Sequence, residues 1–445
     1  MEEALIASPL LDAPLIAGVL PSTISVVGGL ALVYLLVRRG RRWWLRTVST
    51  CIGIGVLVAA LSAVGVALLR PFPDPLPLRV LFWIAVTAAG CALAWAPRGS
   101  GRLRVAVTVL AVVAVLLMGA VKVNAFYGYR PTLASAVGLQ ASDQTTFADL
   151  PREVELVTAS AGMSLAAGWT PPPDMPATGQ VAQVSIPGTA SGFAARPAWL
   201  YLPPAYLGSI RAELPVLVLI PGQPGGPDDW LLAGQLANVL DRFAAAHHGL
   251  APVVIVPDTT GSSFGNPLCL DSRLGNAETY LAVDVPAWET EHLQVRHHHR
   301  AIGGFSFGGT CSLQLAVRRP EVYPTFLDIA GQAEPTLGDR AQTVQAAFGG
   351  DDDAFRLVNP LDVLKTAAPG RYVASAGILT TGRDDALYGP EAARVRDAAA
   401  EAGLPVQLIS LPGGHSWPMA IDSLTAALPW IADRAGLVPA PPLPH

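Results

Sequence analysis

The stretch Gly304–Phe305–Ser306–Phe307–Gly308 could carry out acyl transfer, because it places a serine between two glycines. Such a match is weak by itself in a chain with 43 glycines, so its setting decides its value. The apolar segment "HRAIGGFS" runs into the serine and is predicted as a strand, and "FGGTCSLQLAVRR" after it is predicted as a helix. A strand, a sharp turn and a helix expose a nucleophilic serine. The sequence therefore predicts Ser306 as the nucleophile.

A serine hydroxyl needs a base, and the base needs a carboxylate that orients it. His415 follows a predicted strand in "LPGGHSWP", and Asp384 and Asp385 follow another in "TTGRDDALYG". The chain order serine, aspartate, histidine is that of the α/β-hydrolases. We predict Ser306, His415 and Asp385 as the catalytic residues. The alternative is that His415 lies in an ordinary surface loop and that both aspartates only cap the next helix.

Backbone N–H groups must stabilise the negative charge that develops on the substrate oxygen. One predicted donor is the N–H of Phe307, which follows the serine at the start of the helix. The other is the N–H of Gln223 in the glycine-rich segment "PGQPGGPDDW", which follows the apolar strand "LPVLVLI". Pro224 has no N–H and is excluded as a donor. The alternative is that this segment is an ordinary turn between a strand and a helix.

Aromatic residues and cysteines near these motifs lead to two further hypotheses. Trp230, Phe305 and Trp417 are candidates for the wall of a substrate pocket, and core packing accounts for them equally well. Cys269 and Cys311 would join the segment "SSFGNPLCLDS" to the helix after the serine if they formed a disulfide. Two buried thiols are the alternative.

The segments that must position these residues alternate between strands and helices from residue 180 to residue 437. Continuous apolar runs such as "LPVLVLI" and "APVVIVP" indicate strands that are buried on both faces. Segments between them, including Trp230–His247 and Met419–Ala435, are predicted as helices. This alternation predicts an α/β-hydrolase fold, in which helices cover both faces of a mostly parallel sheet.

The first third of the chain is predicted to be a four-helix transmembrane region of the plasma membrane. Each of four apolar stretches is close to the length that crosses a hydrocarbon core of about 30 Å, and none contains Asp, Glu, Lys, Arg or His. Arginines cluster after the first and third stretches, which puts these loops in the cytoplasm and both termini outside it. Uncharged spans favour an anchor over a transporter. The stretches are Pro14–Val37, Thr47–Leu69, Val80–Ala96 and Val105–Val121.

Four regions follow from these patterns: a transmembrane region (1–123), a proline-rich linker (124–179), a catalytic domain (180–437) and a disordered tail (438–445). The net charge of −5 and the lack of a long basic run disfavour nucleic acid as a partner. The cysteines have no CxxC spacing, and the histidines of His297–His299 are expected to be solvated. No metal and no cofactor are therefore predicted.

The segments "PGQPGGPDDW", "GFSFGG", "GRDD" and "GGHSW" resemble the esterase family that includes esterase D (S-formylglutathione hydrolase), enterochelin esterases and the mycobacterial mycolyltransferases. The resemblance covers Gln180–Leu437. It implies that the second aspartate of "GRDD", Asp385, is the catalytic acid, and that Gln223 and Phe307 form the oxyanion hole. Pro221 departs from the family pattern, which more usually has His or Asp before this glycine. With its apolar stretches, the whole chain resembles a membrane-anchored esterase of actinobacterial type.

The expected function is that of an extracytoplasmic, membrane-anchored serine esterase that acts on an acyl ester or lipid through an acyl-enzyme. An acyltransferase that moves the acyl group to an envelope glycan or lipid is the close alternative, because its acyl-enzyme is the same. A non-catalytic binding protein on a hydrolase fold is a third hypothesis, which a missing catalytic residue would favour. All three candidate residues are present, and protein partners are not predicted.

Overall fold

A computed structural model describes residues 11–68, 76–96, 101–139 and 144–439. The chain divides into two compact units, Met1–Ala141 and Ser142–His445.

Long apolar helices make up most of the described part of the first unit. Three of them are long and apolar enough to cross a membrane, whereas the helix at Leu78–Ala94 has only 17 residues. Many of their large apolar side chains are exposed, as on a surface that a bilayer would cover. The unit is thus compatible with membrane anchoring, and the topology of four spans stays a prediction. The helices are α1 (Val19–Leu36), α2 (Arg41–Leu68), α3 (Leu78–Ala94) and α4 (Arg102–Tyr127).

An eight-stranded sheet forms the centre of the second unit. Its strands are β1 (Gln180–Val184), β2 (Ala198–Leu202), β3 (Pro215–Ile220), β4 (Val253–Val256), β5 (Arg296–Phe305), β6 (Thr325–Ile329), β7 (Ala376–Gly382) and β8 (Val406–Leu411). Across the sheet they lie in the order β1-β2-β4-β3-β5-β6-β7-β8. β2 is antiparallel to both of its neighbours, and the other neighbouring pairs are parallel. The prediction of an α/β-hydrolase-like fold with a mostly parallel sheet is confirmed.

The core lies on the central strands, because β3, β4, β6 and β7 are buried along their whole length. Short strand pairs lie outside this sheet, at Glu155–Val157 with Ile210–Ala212 and at Asp271–Ser272 with Gly275–Asn276. The remaining helices are α5 (Leu133–Ala136), α6 (Pro204–Leu207), α7 (Asp228–Leu232), α8 (Leu236–Ala246), α9 (Ala277–Thr279), α10 (Val285–His292), α11 (Phe307–Arg318), α12 (Arg340–Phe348), α13 (Asp352–Arg356), α14 (Pro360–Lys365), α15 (Tyr388–Glu401) and α16 (Trp417–Arg434).

The helix predicted over Trp230–His247 differs in the structure, where two helices replace it. Helices α7 and α8 are separated at Gln235, whose φ of 47° lies in the left-handed region. A non-glycine residue there interrupts a right-handed helix. The break leaves α7 as a single short turn beside the segment that holds Gln223.

Residues 144–179 of the predicted linker lie within the second unit and pack on it. The indole Nε1 of Trp169 donates a hydrogen bond to the carbonyl oxygen of His248 at 2.9 Å. The backbone N–H of Gly179 donates to the Asp241 carboxylate at 2.7 Å. This proline-rich segment is therefore packed on the domain, because individual aromatic and polar groups form hydrogen bonds with it.

The predicted disordered tail, 438–445, falls mostly outside the described residues, which end at residue 439. Its first residue, Val438, is buried together with Leu437. The packed part of the domain thus extends slightly beyond residue 437.

Candidate active site

The turn between β5 and α11 holds Ser306 in a backbone conformation that is rare for a residue with a side chain. Its φ is 59° and its ψ is −118°. A side chain on Gly304 would clash with the backbone of Gly308, and one on Gly308 would clash with the carbonyl of Ile220. The two glycines thus permit the close approach of helix and strands that forces the turn. Strain of this kind exposes the serine at the end of the sheet.

The structure brings three of the predicted residues into one hydrogen-bonded row. Nε2 of His415 lies 2.9 Å from Oγ of Ser306, and its Nδ1 lies 3.1 Å from Oδ2 of Asp385. All three residues follow the carboxyl ends of parallel strands, β5, β7 and β8, so they meet at one edge of the sheet. With Nδ1 protonated, Nε2 is free to accept the serine proton.

The two adjacent aspartates have different environments. The Asp385 side chain is only 4% exposed, and its Oδ1 accepts hydrogen bonds from the backbone N–H groups of Leu387 and Tyr388. Burial alone would raise the pKa of Asp385, but the hydrogen bond from His415 and those backbone donors outweigh it, so its pKa is lowered. Asp384 is exposed. The carboxylate that faces the imidazole is therefore an ionised Asp385.

Aromatic rings hold the imidazole on two sides. The ring of Tyr388 stacks on His415 with centroids 4.1 Å apart, and the ring of Phe305 lies 4.7 Å away. Trp417 contacts Phe305 in turn, at 5.2 Å. Rings packed in this way restrict the rotation of the imidazole and keep its Nε2 directed at the serine.

Trp230 does not fit the prediction that it lines a substrate pocket. It is completely buried, and its Nε1 donates to the carbonyl oxygen of Ile220 at 3.0 Å. Its ring packs edge-on against Trp417, which is 5% exposed. Trp230 is thus part of the core behind the site, whereas Phe305 and Trp417 connect that core to the imidazole.

The loop after β3, residues 221–227, is called the oxyanion loop below. A Cβ on Gly222 would lie 3.7 Å from Cβ of Ser306, so the loop passes directly beside this serine. Gln223 follows this glycine, and its side-chain Nε2 donates to the carbonyl oxygen of Phe264 at 3.3 Å. Phe307 is the first residue of α11, where a backbone N–H has no partner within the helix. Of the two predicted oxyanion donors, Phe307 thus directly follows the serine in the chain, and Gln223 directly follows the glycine that lies beside the serine.

A disulfide links Cys269 to Cys311. Cys311 lies on α11, five residues after Ser306, and Cys269 lies near the end of the loop that follows β4. This loop, residues 257–270, is called the β4 loop below and also contains Phe264, the hydrogen-bond partner of Gln223. The disulfide thus joins the nucleophile helix to the loop that touches the oxyanion loop.

Sequence reasoning missed three residues around the site: Tyr388, Asp328 and Arg196. Tyr388 lies three residues after Asp385, a spacing that could have indicated a contact at the start of a helix. Asp328 is buried in β6, accepts a hydrogen bond from the N–H of Gly331 at 2.8 Å, and burial raises its pKa to about 7. A lone charged residue in an apolar strand was the available signal. Arg196 lies in a loop between strands and carries no local signal.

The described residues contain no group of three or more His, Cys, Asp or Glu side chains that could hold a metal ion. Within the triple histidine, Nδ1 of His297 contacts Oε1 of Glu289 at 3.1 Å. This pair lies at the start of β5, whereas Ser306 follows its end.

Known proteins match the chain at two scales, over the range that holds the candidate site and over nearly its full length. Residues 195–431, a range that contains Ser306, Asp385 and His415, match the family described as "Putative esterase". An uncharacterised protein of Corynebacterium glutamicum is 35% identical in an alignment of 446 positions that covers 98% of each chain.

Two solved structures are also similar to the chain. An S-formylglutathione hydrolase from Agrobacterium tumefaciens is 18% identical, with a TM-score of 0.48, over 58% of this chain and 97% of its own. MPT51 of Mycobacterium tuberculosis is 18% identical, with a TM-score of 0.42, over 57% of this chain and 97% of its own. At these identities and TM-scores, neither structure assigns a role to any residue of this chain.

Proposed function

Because the chain belongs to the esterase family, we propose that it is a serine esterase that cleaves acyl esters through an acyl-enzyme on Ser306. One observation carries the proposal. His415 contacts Oγ of Ser306 with one ring nitrogen and the Asp385 carboxylate with the other, at 2.9 and 3.1 Å. A nucleophile, a base within hydrogen-bond distance and a carboxylate that orients the base are together the requirements for nucleophilic acyl transfer.

In the acylation step, Oγ of Ser306 attacks the ester carbonyl carbon while Nε2 of His415 takes the hydroxyl proton. The carbonyl oxygen becomes an oxyanion, which the N–H groups of Phe307 and Gln223 stabilise. The C–O bond to the alcohol then breaks, and the imidazolium returns the proton to the leaving alkoxide. Asp385 stabilises the imidazolium during this step and stays ionised.

In the deacylation step, His415 takes a proton from water, and the hydroxide oxygen attacks the acyl carbon. The ester bond to Ser306 breaks, the carboxylic acid leaves and the serine regains its proton. An alcohol acceptor would follow the same route and give a new ester, so free acid and transferred ester are the products that distinguish esterase from acyltransferase.

The proposal places the enzyme on the outer face of the plasma membrane, anchored by its N-terminal helices. The three long apolar helices and the arginine-rich loops support this orientation. The disulfide between Cys269 and Cys311 supports it too, because disulfides persist in oxidising compartments and are rare in the cytosol.

The test is fluorophosphonate labelling of intact cells with a probe that cannot cross membranes. We expect labelling of the wild type and of Ser209→Ala, an exposed serine that contacts Asp174, and no labelling of Ser306→Ala. Hydrolysis of a p-nitrophenyl ester by the full chain in detergent should fall by about 10⁴-fold or more in Ser306→Ala. Equal labelling of Ser306→Ala and wild type would contradict the mechanism. Labelling only after cell lysis would contradict the outward orientation.

A further inference from the structure

Arg196 joins the oxyanion loop to the β4 loop through a dense set of hydrogen bonds. It lies in the connection between β1 and β2, and its guanidinium forms a bidentate pair with Asp258, from Nε at 3.0 Å and from Nη2 at 2.8 Å. Nη2 also donates to the carbonyl oxygen of Gly225 at 3.0 Å and to Oγ1 of Thr260 at 2.9 Å. The guanidinium thus contacts two separate segments at the catalytic edge of the sheet, the β4 loop and the oxyanion loop.

We propose that Arg196 is a positioning residue that holds the oxyanion loop so that the N–H of Gln223 is directed at the substrate oxyanion. The inference rests on the proposed esterase function and adds to it a residue that touches neither the substrate nor the three catalytic side chains. Its contact with the loop is the carbonyl of Gly225, two residues beyond Gln223.

The oxyanion loop needs such a contact because it has little structure of its own. Three of its seven residues are glycines and three are prolines, and it contains no helix or strand. The prolines fix φ at their own positions, but the glycines before and after Gln223 can rotate, so the direction of the Gln223 N–H depends on contacts from outside the loop. The N–H of Gly226 donates to the Asp229 carboxylate just after the loop at 2.9 Å, and two further hydrogen bonds join the loop to the β4 loop. Gly225 N–H donates to the carbonyl of Ser263 at 2.9 Å, and Gln223 Nε2 donates to that of Phe264 at 3.3 Å.

The pair of Arg196 and Asp258 is built as a rigid anchor. The Asp258 side chain is completely buried, whereas that of Arg196 is 30% exposed. A bidentate pair between a planar guanidinium and a carboxylate fixes direction as well as distance. The loop backbone is packed against this anchor, because a Cβ on Gly226 would lie 2.9 Å from Nη1 of Arg196.

Replacement of Arg196 leaves Asp258 with other donors, which makes the inference testable in a folded protein. The carboxylate also accepts hydrogen bonds from the backbone N–H groups of Arg196 itself, Thr260 and Gly261 at 2.8, 3.2 and 3.1 Å. Burial raises the pKa of Asp258, but the hydrogen bonds from Arg196 outweigh it, so the pKa is lowered in the wild type. The backbone donors remain when the guanidinium is removed.

Arg356 provides a matched control, because its replacement removes the same charge at a position away from Arg196 and Asp258. Arg356→Met removes an arginine whose side chain is 58% exposed and pairs with the exposed Asp352. Arg196→Lys keeps a positive charge beside Asp258 and loses the bidentate geometry, so it serves as the second variant where Arg196→Met does not fold.

The experiment measures kcat and KM for a soluble p-nitrophenyl ester, and inhibition by a trifluoromethyl ketone, with the full chain in detergent. The ketone adds reversibly to serine and forms an oxyanion in the same hole. We expect Arg196→Met to lower kcat about 10- to 100-fold with KM within about threefold, and to weaken the ketone by a similar factor. The kcat and the ketone inhibition of Arg196→Lys should lie between those of Arg196→Met and the wild type, and those of Arg356→Met should equal the wild-type values.

Hydrogen–deuterium exchange provides a readout that does not depend on esterase activity. We expect the backbone amides of the loop's four non-proline residues, Gly222, Gln223, Gly225 and Gly226, to exchange at least about tenfold faster in Arg196→Met than in the wild type. Folded variants of Arg196 with unchanged exchange, or with unchanged kcat and ketone inhibition, would overturn the inference. If the wild type hydrolyses no ester, the proposed function fails, and the exchange rates alone decide whether Arg196 holds the loop.

Discussion

Replacement of Asp385 by Asn tests the catalytic row most directly, because it changes one oxygen to an amino group and little else. In the wild type, the ionised carboxylate lies 3.1 Å from Nδ1 of His415 and accepts a hydrogen bond from the N–H there. The asparagine amide can instead donate to Nδ1, which leaves the ring proton on Nε2. The imidazole then has no lone pair directed at Ser306 and cannot act as its base.

The expected loss is large because Asp385 is buried and has no substitute. Its side chain is 4% exposed, so water cannot replace the carboxylate at Nδ1. A base held in the wrong tautomer costs about 10⁴-fold in kcat in serine hydrolases of this type, which is about 5.4 kcal/mol at 1.36 kcal/mol per tenfold. We expect a loss of about 10³- to 10⁴-fold, with little change in KM.

The adjacent Asp384 is the matched control, since Asp384→Asn removes the same charge one residue earlier at an exposed position. The assay is steady-state hydrolysis of a p-nitrophenyl ester at pH 7 to 8 by the full chain in detergent, with circular dichroism to verify folding. Asp384→Asn should retain activity within about twofold. A folded Asp385→Asn with wild-type kcat, or a large loss in Asp384→Asn alone, would refute the reasoning.

Two further predictions concern stability. Burial raises the pKa of Asp328 to about 7, above the unfolded value of about 3.9, so the folded chain keeps a proton that the unfolded chain loses between about pH 4 and 7. The free energy of unfolding therefore falls as pH rises through this window. Asp328→Asn cannot lose this proton, so its Tm should differ less between pH 5 and pH 8 than the Tm of the wild type does. The same Tm difference in both proteins would contradict this prediction. Cys311→Ser should lower the free energy of unfolding by about 4 kcal/mol, because it removes the disulfide with Cys269, which spans 42 residues. As the control, Cys51→Ser replaces a free cysteine and should leave the free energy of unfolding unchanged. Equal chemical denaturation midpoints for Cys311→Ser and the wild type would contradict this prediction.

Much of the fold that carries the candidate site could be predicted because its signals are local. Apolar runs indicate buried strands, since a strand of a parallel sheet has both faces covered. The glycines around Ser306 indicate a tight turn, since neither Gly304 nor Gly308 has room for a side chain. The single helix predicted over Trp230–His247 was wrong because a positive φ at Gln235 leaves little trace in composition.

The sequence indicated which residues belong to the candidate site, but it indicated only part of how they are arranged. Directly adjacent residues such as Asp384 and Asp385 look alike in sequence, and only their burial separates them. Trp230 is an aromatic residue of the kind that lines substrate pockets, but in the structure it is completely enclosed in the core. Tyr388 faces the imidazole because α15 begins beside β8, a placement that no local pattern encodes.

The sequence by itself determined the strands of the main sheet, most of the helices, the apolar N-terminal stretches and the strand–turn–helix that carries Ser306, because each depends on side chains within a few residues of one another. The tertiary structure alone decided that His415, 109 residues further along, lies 2.9 Å from that serine, and that Arg196 reaches the oxyanion loop. Those distances follow from the order and register of the sheet, which sum many weak contacts between segments far apart in the chain.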